Sequence, residues 1–185
     1  MLIRVLGFLL ETFFFVLIAA ALLRAYMNWL RINMTAQPGT FVMAVTNWLV
    51  KPLRRVLPNG LVKARADSAS LLAAVLLALM YAVLWALLTG AFTPGVMGGA
   101  FLSVGLPLFA MKMVVRVALQ TLFILVIGYA ILSWVQPGSS IYGVLARLVE
   151  PPLAPLRRVV PTVGGVDLSA LVLILILQIC LMVLG

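Results

Sequence analysis

The chain has 185 residues, 65% of them apolar and only 9% charged, with a mean hydropathy of +1.27. Soluble domains average about 45–50% apolar and about 25% charged residues, so this composition excludes a globule covered by polar surface and points to a membrane protein. Thirteen basic residues against four acids give a net charge of +9, which positive cytoplasmic loops beside anionic lipid explain better than direct nucleic-acid binding.

Four charge-poor stretches, residues 6–23, 69–89, 114–135 and 168–184, each reach the about 20 apolar residues that a crossing needs and predict four transmembrane helices. The first has some features of a secretory signal, Arg4 before an apolar run and Ala19-Ala20-Ala21 after it, but Glu11 within the run argues that it stays. After Pro38-Gly39 and a Thr40 cap, Phe41, Val45, Trp48 and Leu49 recur at helical spacing. They predict an amphipathic interfacial helix of about ten residues, stopped by Lys51-Pro52. Arg54-Arg55 follow, and Asp67 stands just before the second apolar run. Residues 90–106, broken by Gly90, Pro94, Gly95, Gly98, Gly99 and Gly105, are expected to lie in the interface, with a re-entrant excursion as the alternative. The third run carries Lys112, Arg116 and Gln120 on one face. A second amphipathic segment follows Pro137-Gly138 and Ser139-Ser140, with Ile141, Leu145 and Leu148 on its apolar side and a stop at Pro151-Pro152. Arg157-Arg158 and Asp167 precede the fourth run, which contains Gln178 and Cys180.

The two long loops hold ten basic residues and the opposite side holds three, so the positive-inside rule places the loops in the cytoplasm and both termini outside. With no histidine and a single cysteine, an internal disulfide and the usual zinc, iron–sulfur and His-based catalytic sites are excluded. Glu11, Asp67, Glu150 and Asp167 are far apart in sequence, and no cofactor is expected.

Pro52-Leu53-Arg54-Arg55-Val56-Leu57-Pro58 recurs as Pro155-Leu156-Arg157-Arg158-Val159-Val160-Pro161, six identities in seven. Asn28-Trp29 corresponds to Ser133-Trp134, and Asp67 to Asp167. The expected organisation is therefore a first repeat over residues 1–90, an extracytoplasmic linker over 91–106 and a second repeat over 107–185, related by a pseudo-two-fold along the membrane normal. The fold class expected is an all-α membrane protein of two tandem helix–loop–helix units. This pattern resembles the YggT family of small integral membrane proteins, which includes the YlmG-type proteins of bacteria and plastids. The resemblance covers nearly the whole chain and rests on the paired Pro-Leu-Arg-Arg-Val-x-Pro elements, followed by Asp67 and by Gly164-Gly165-Val166-Asp167-Leu168-Ser169. The first copy departs from the pattern, reading Ala66-Asp67-Ser68-Ala69-Ser70 without the double glycine. Membership implies a protein of the bacterial cytoplasmic membrane, linked in different members to osmotic tolerance, to cell division and nucleoid distribution, and to cytochrome assembly in plastids. None of these links names a reaction.

Arg54, Arg55, Arg157 and Arg158 are candidate contacts for anionic lipids or for a membrane or cytoplasmic protein partner. Asp67 and Asp167 are candidate helix caps, with a salt bridge to a neighbouring arginine as the alternative. Placing Trp29 on Trp134 puts Glu11 on Arg116, each about 13 Å inside its helix by helix rise, and suggests an intramembrane ion pair. Snorkelling of Arg116 with a protonated Glu11 is the alternative. The function expected is a non-enzymatic membrane protein that supports envelope organisation or membrane-protein assembly through a basic cytoplasmic face, tied to osmotic stress or cell division. A small, oligomeric channel or transporter component for osmotic adaptation is the other reading, and a homo-oligomer is compatible with both.

Overall fold

The computed structural model of the chain describes residues 1–35, 37–56, 67–90, 104–158 and 168–184. Among the described residues there are six helices and no strand: α1 Leu2–Trp29, α2 Gly39–Val56, α3 Ser68–Leu88, α4 Leu106–Val135, α5 Ser140–Arg157 and α6 Leu168–Leu184. Helices α1, α3 and α4 are long and apolar enough to cross a membrane, and the shorter α6 is apolar over 17 residues. At 1.5 Å per residue α1 and α4 are each more than about 40 Å long, beyond the about 30 Å of a hydrocarbon core. Each is long enough for its ends to extend past such a core, and the last turns of α1 carry Arg24 and Asn28.

Small side chains let α1 and α3 approach closely. One face of α3 buries Ala69, Ala73, Ala74, Ala78, Ala82 and Ala86, and Phe14, Ile18 and Ala21 of α1 join that core. Without a water-driven hydrophobic effect inside the bilayer, such close van der Waals contact is what holds helices together. Gly7 shows how tight the contact is, since a Cβ there would lie 2.8 Å from the Trp85 ring. Ala110, Met113 and Val117 of α4 complete this cluster, so α3 is packed on both sides. The other cluster joins Val126 and Tyr129 of α4, Val149 and Leu153 of α5, and Ala170, Leu173 and Leu177 of α6. A third, of Met27, Ile32 and Leu148, connects the end of α1 to α5.

The loop helices differ from their expected form in two ways. Each has 18 residues rather than about ten, because α2 continues through Pro52 and α5 continues through Pro151, Pro152 and Pro155. Proline removes an intrahelical hydrogen bond and crowds the preceding turn, but fully buried neighbours hold the path: Val50 beside Pro52, and Val149 and Leu153 around Pro151 and Pro152. Helix α2 is also rotated from the face its large apolar residues suggest. Val42, Thr46 and Val50 point into the bundle, whereas Phe41 and Trp48 are exposed. Ser139 does cap α5, accepting a hydrogen bond from the Tyr142 amide at 3.1 Å. The third long helix starts at Leu106, with Pro107 in its first turn, rather than at residue 114. Most of the 90–106 linker, residues 91–103, lies outside the described residues.

Candidate functional site

At the loop end of the first three helices, one buried carboxylate collects donors from each of them. Asp67, 5% exposed at its side chain, precedes the first residue of α3 and occupies its N-cap position. The expected side-chain cap is not made: the first amides of α3 bond the Asp67 backbone carbonyl instead. The carboxylate is free to face other side chains, and Oδ2 accepts from Ser70 Oγ at 2.8 Å, Asn28 Nδ2 at 3.2 Å and Arg54 Nη2. Arg24 Nε lies 3.8 Å from the same oxygen. The alternative of a salt bridge to the neighbouring arginine element is thus the one realised, and it ties α1, α2 and α3 at a single atom.

Arg24 is itself buried, 6% exposed at its side chain, and its Nη1 donates to Thr46 Oγ1 at 2.8 Å and Asn47 Oδ1 at 3.0 Å. Thr46 passes the bond on to the Val42 carbonyl at 2.7 Å. Burial opposes ionisation of Asp67, but hydrogen bonds from Ser70 and Arg54 and the charges of Arg54 and Arg24 outweigh it and hold the carboxyl below its usual range. Two guanidiniums share one carboxylate here, so the cluster carries one positive charge in excess.

The arginine pair of the second loop is arranged in the same manner with other partners. Arg157 donates from Nη1 to Glu150 Oε2 at 2.7 Å and from Nη2 to the Tyr129 hydroxyl at 2.9 Å, and Tyr129 stacks on Tyr142 with centroids 5.5 Å apart. In each Arg-Arg element the first arginine, Arg54 or Arg157, turns toward the bundle. The second, Arg55 or Arg158, is exposed and makes no hydrogen bond or ion pair among the described residues. Asp167, the second cap candidate, lies outside the described residues.

The direct Glu11–Arg116 pair expected from the repeat register is not formed between these two described residues, whereas Asp67 and Glu150 do make ion pairs. Glu11 is exposed and Arg116 half-buried, and both lie within electrostatic reach of Tyr81. The physical reason is the packing order. Helix α3 joins the same core as both α1 and α4 and presents Tyr81 there, with ring contacts to Phe14 at 5.7 Å and Phe109 at 6.1 Å.

An apolar groove of about 520 Å³ runs between the halves, bounded by Leu22, Tyr26 and Trp29 of α1, Leu71 of α3, Leu122 of α4 and Pro152 of α5. Above it the Tyr26 hydroxyl donates to the Leu148 carbonyl at 2.8 Å, a polar link from α1 to α5. Among the described residues no three His, Cys, Asp or Glu side chains converge in a metal-holding group.

Sequence reasoning missed Arg24, Asn28, Thr46 and Asn47 as members of the site. A signal existed: Arg24 and Asn28 are four apart, hence on one face of α1, and Thr46 and Asn47 form the only polar step of the first amphipathic segment.

The model of the CCB3/YggT family matches residues 2–88 and 108–185. The chain is 34% identical over 179 residues to "Uncharacterized protein YggT" of Escherichia coli strain K12, covering 94% of this chain and 86% of that protein. An uncharacterised protein of Pseudomonas aeruginosa is 35% identical over 173 residues, 92% of this chain and 83% of its own. A protein of Vibrio alginolyticus, described by its place in the proC 3' region, is 31% identical over 173 residues, 93% and 89% of the two chains. No solved structure matches the chain.

Proposed function

This chain belongs to the CCB3/YggT family, and from that premise we propose that it is a non-enzymatic, multi-pass protein of the bacterial inner membrane that supports envelope organisation or membrane-protein assembly through a basic cytoplasmic face. In this reading α1, α3, α4 and α6 make four crossings from two tandem repeats, 1–90 and 107–185, and both termini are extracytoplasmic. The loop helices α2 and α5 then lie in the cytoplasmic interface, where the exposed Phe41, Trp48 and Ile141 meet lipid.

One observation carries the proposal. Each Arg-Arg element spends its first arginine on an internal contact and leaves its second, Arg55 or Arg158, exposed at the end of a loop helix. A rigid helix presenting one outward guanidinium per half is suited to carboxylate or phosphate groups of a partner. Topology alone needs only positive charge, and any flexible loop supplies that.

The test is Arg55→Gln combined with Arg158→Gln, expressed in a strain lacking its own family member. The expected result is normal protein level and melting temperature, together with loss of growth in high salt and loss of a repeatable crosslinked partner. Retention of both would defeat the reading. Solute flux in proteoliposomes that disappears with Arg116→Gln would replace it with the channel reading, in which Glu11 and the Lys112, Arg116 and Gln120 face line a path between copies.

A further inference from the structure

Two charges of the long apolar helices, Glu11 of α1 and Arg116 of α4, make no hydrogen bond or ion pair among the described residues. Arg4 and Arg24 bracket the apolar part of α1, and the rise between them is about 30 Å, the thickness of a hydrocarbon core. Glu11 lies about 10 Å inside that interval, where a carboxylate is costly unless a cation or water meets it. It is nonetheless exposed rather than turned into the bundle. Arg116 stands at a similar depth, because both charges lie within electrostatic reach of the same Tyr81 side chain. The surface beside them is apolar. Phe8, one turn before Glu11, and Val115, next to Arg116, are both exposed.

We infer that this surface is the contact between two copies of the chain, in which Glu11 of each copy pairs with Arg116 of the other. Charge complementarity and symmetry together select a second copy as the occupant. Copies enter a membrane the same way round, so the two-fold axis that relates them lies along the membrane normal and preserves depth. The acid of one copy then meets the base of the other at a common level, and an isologous contact makes that pair twice, once on each side of the axis. Lipid tails offer neither charge a partner. Pairing neutralises both where the low dielectric makes an unmatched charge most costly. Arg116 is half-buried, and its long flexible stem lets the guanidinium reach outward. The acid–base match that the repeat register suggests within one chain is thus made across two.

The inference rests on the reading of α1 and α4 as crossing helices and not on the basic cytoplasmic face. It is tested with donor- and acceptor-labelled full-length chains in liposomes, by energy transfer as the protein-to-lipid ratio is raised. Wild type is expected to associate as a dimer. Glu11→Gln alone and Arg116→Gln alone each break both pairs, and each should raise the ratio needed for half-maximal transfer at least about tenfold. A mixture of Glu11→Gln donor with Arg116→Gln acceptor keeps one pair, between Arg116 of the first chain and Glu11 of the second. It should therefore associate at least about threefold more tightly than either variant does with itself. Misfolding does not produce that recovery, since each chain would carry its defect into the mixture. Glu11→Arg combined with Arg116→Glu in one chain rebuilds both pairs with the charges exchanged and should restore the wild-type ratio. Wild type that stays monomeric overturns the inference. A mixture no tighter than its components overturns it too, and would mean that the two charges act within one chain. These variants leave Arg55 and Arg158 in place, so loss of the dimer does not touch the platform reading, and loss of that reading does not touch the dimer.

Discussion

A guanidinium near the end of a membrane helix ordinarily extends its flexible stem toward the head groups. Arg24 instead turns inward and is satisfied within the protein, by Thr46, Asn47 and Asp67. That makes Asp67 the residue on which the corner depends, because a buried charge stripped of its counter-charge costs about 3–5 kcal/mol. Asp67→Asn should destabilise the detergent-solubilised protein by that order, whereas loss of the more exposed Arg54 should cost about 1 kcal/mol or less; thermal melts of the two variants check the ranking. Acid should act the same way. The folded-state carboxyl of Asp67 is held below its usual value, so its stabilisation is fully present above about pH 4 and is lost as the pH falls through the lowered value. The melting difference between wild type and Asp67→Asn is expected to be constant above about pH 5 and to shrink below pH 4. Asp67 was legible in the sequence because an acid just before an apolar run has few explanations. Arg24 was not, because a basic residue at the edge of an apolar window counts toward topology, and nothing local shows that its partners arrive from two later elements.

Elements were legible in proportion to how far their own side chains decide them. Long apolar runs locate α1, α3, α4 and α6, since backbone groups in lipid have no partner except the helix itself. Helix ends were less legible: an apolar window stops at the first charge, whereas backbone bonding continues α1 to Trp29. The loop helices were misjudged for a tertiary reason. Proline is a strong local stop, but buried Val50, Val149 and Leu153 anchor α2 and α5 to the bundle beyond it. The α1–α3 contact gives a sharper test of packing. Gly7→Val puts atoms where the Trp85 ring lies 2.8 Å from the Cβ position, and overpacking of this kind costs about 1–3 kcal/mol. The variant should melt lower, and Trp85→Leu in the same chain should recover most of the loss, because removing the ring reopens the space. A double-variant cycle with no coupling would show that the contact is not tight.

At the scale of the whole molecule, two triplets of helices, α1–α2–α3 and α4–α5–α6, meet through α3 and α4 and through the loop ends of α1 and α5. The interface is mostly apolar, and the Tyr26 hydroxyl on the Leu148 carbonyl is a polar tie across it. Tyr26→Phe is therefore expected to leave each triplet intact and weaken their union by about 1 kcal/mol. Fragments 1–90 and 107–185 expressed together should copurify, and less of the complex should survive with the Tyr26→Phe fragment. If Tyr26→Phe copurifies as well as wild type, the apolar clusters alone join the triplets. The recurrence of the Arg-Arg element pointed to two similar units, but their point of union was not legible, since it uses Tyr26, Met27 and Leu148, residues with no distinctive spacing.

The inward turn of Arg24 also bears on the order in which the chain is made. Synthesis runs from the N-terminus at about 5–20 residues per second, so α1 leaves the ribosome seconds before Asp67 exists to neutralise its arginine. Throughout that interval the guanidinium lacks its carboxylate partner, and extension of its stem toward the head groups is the expected arrangement. Its set of partners is complete only when Asp67 joins Thr46 and Asn47 around the charge. Completion of the α1–α2–α3 corner is thus expected to wait for residue 67, and a ribosome stalled before Asp67 is expected to leave α1 more readily extracted.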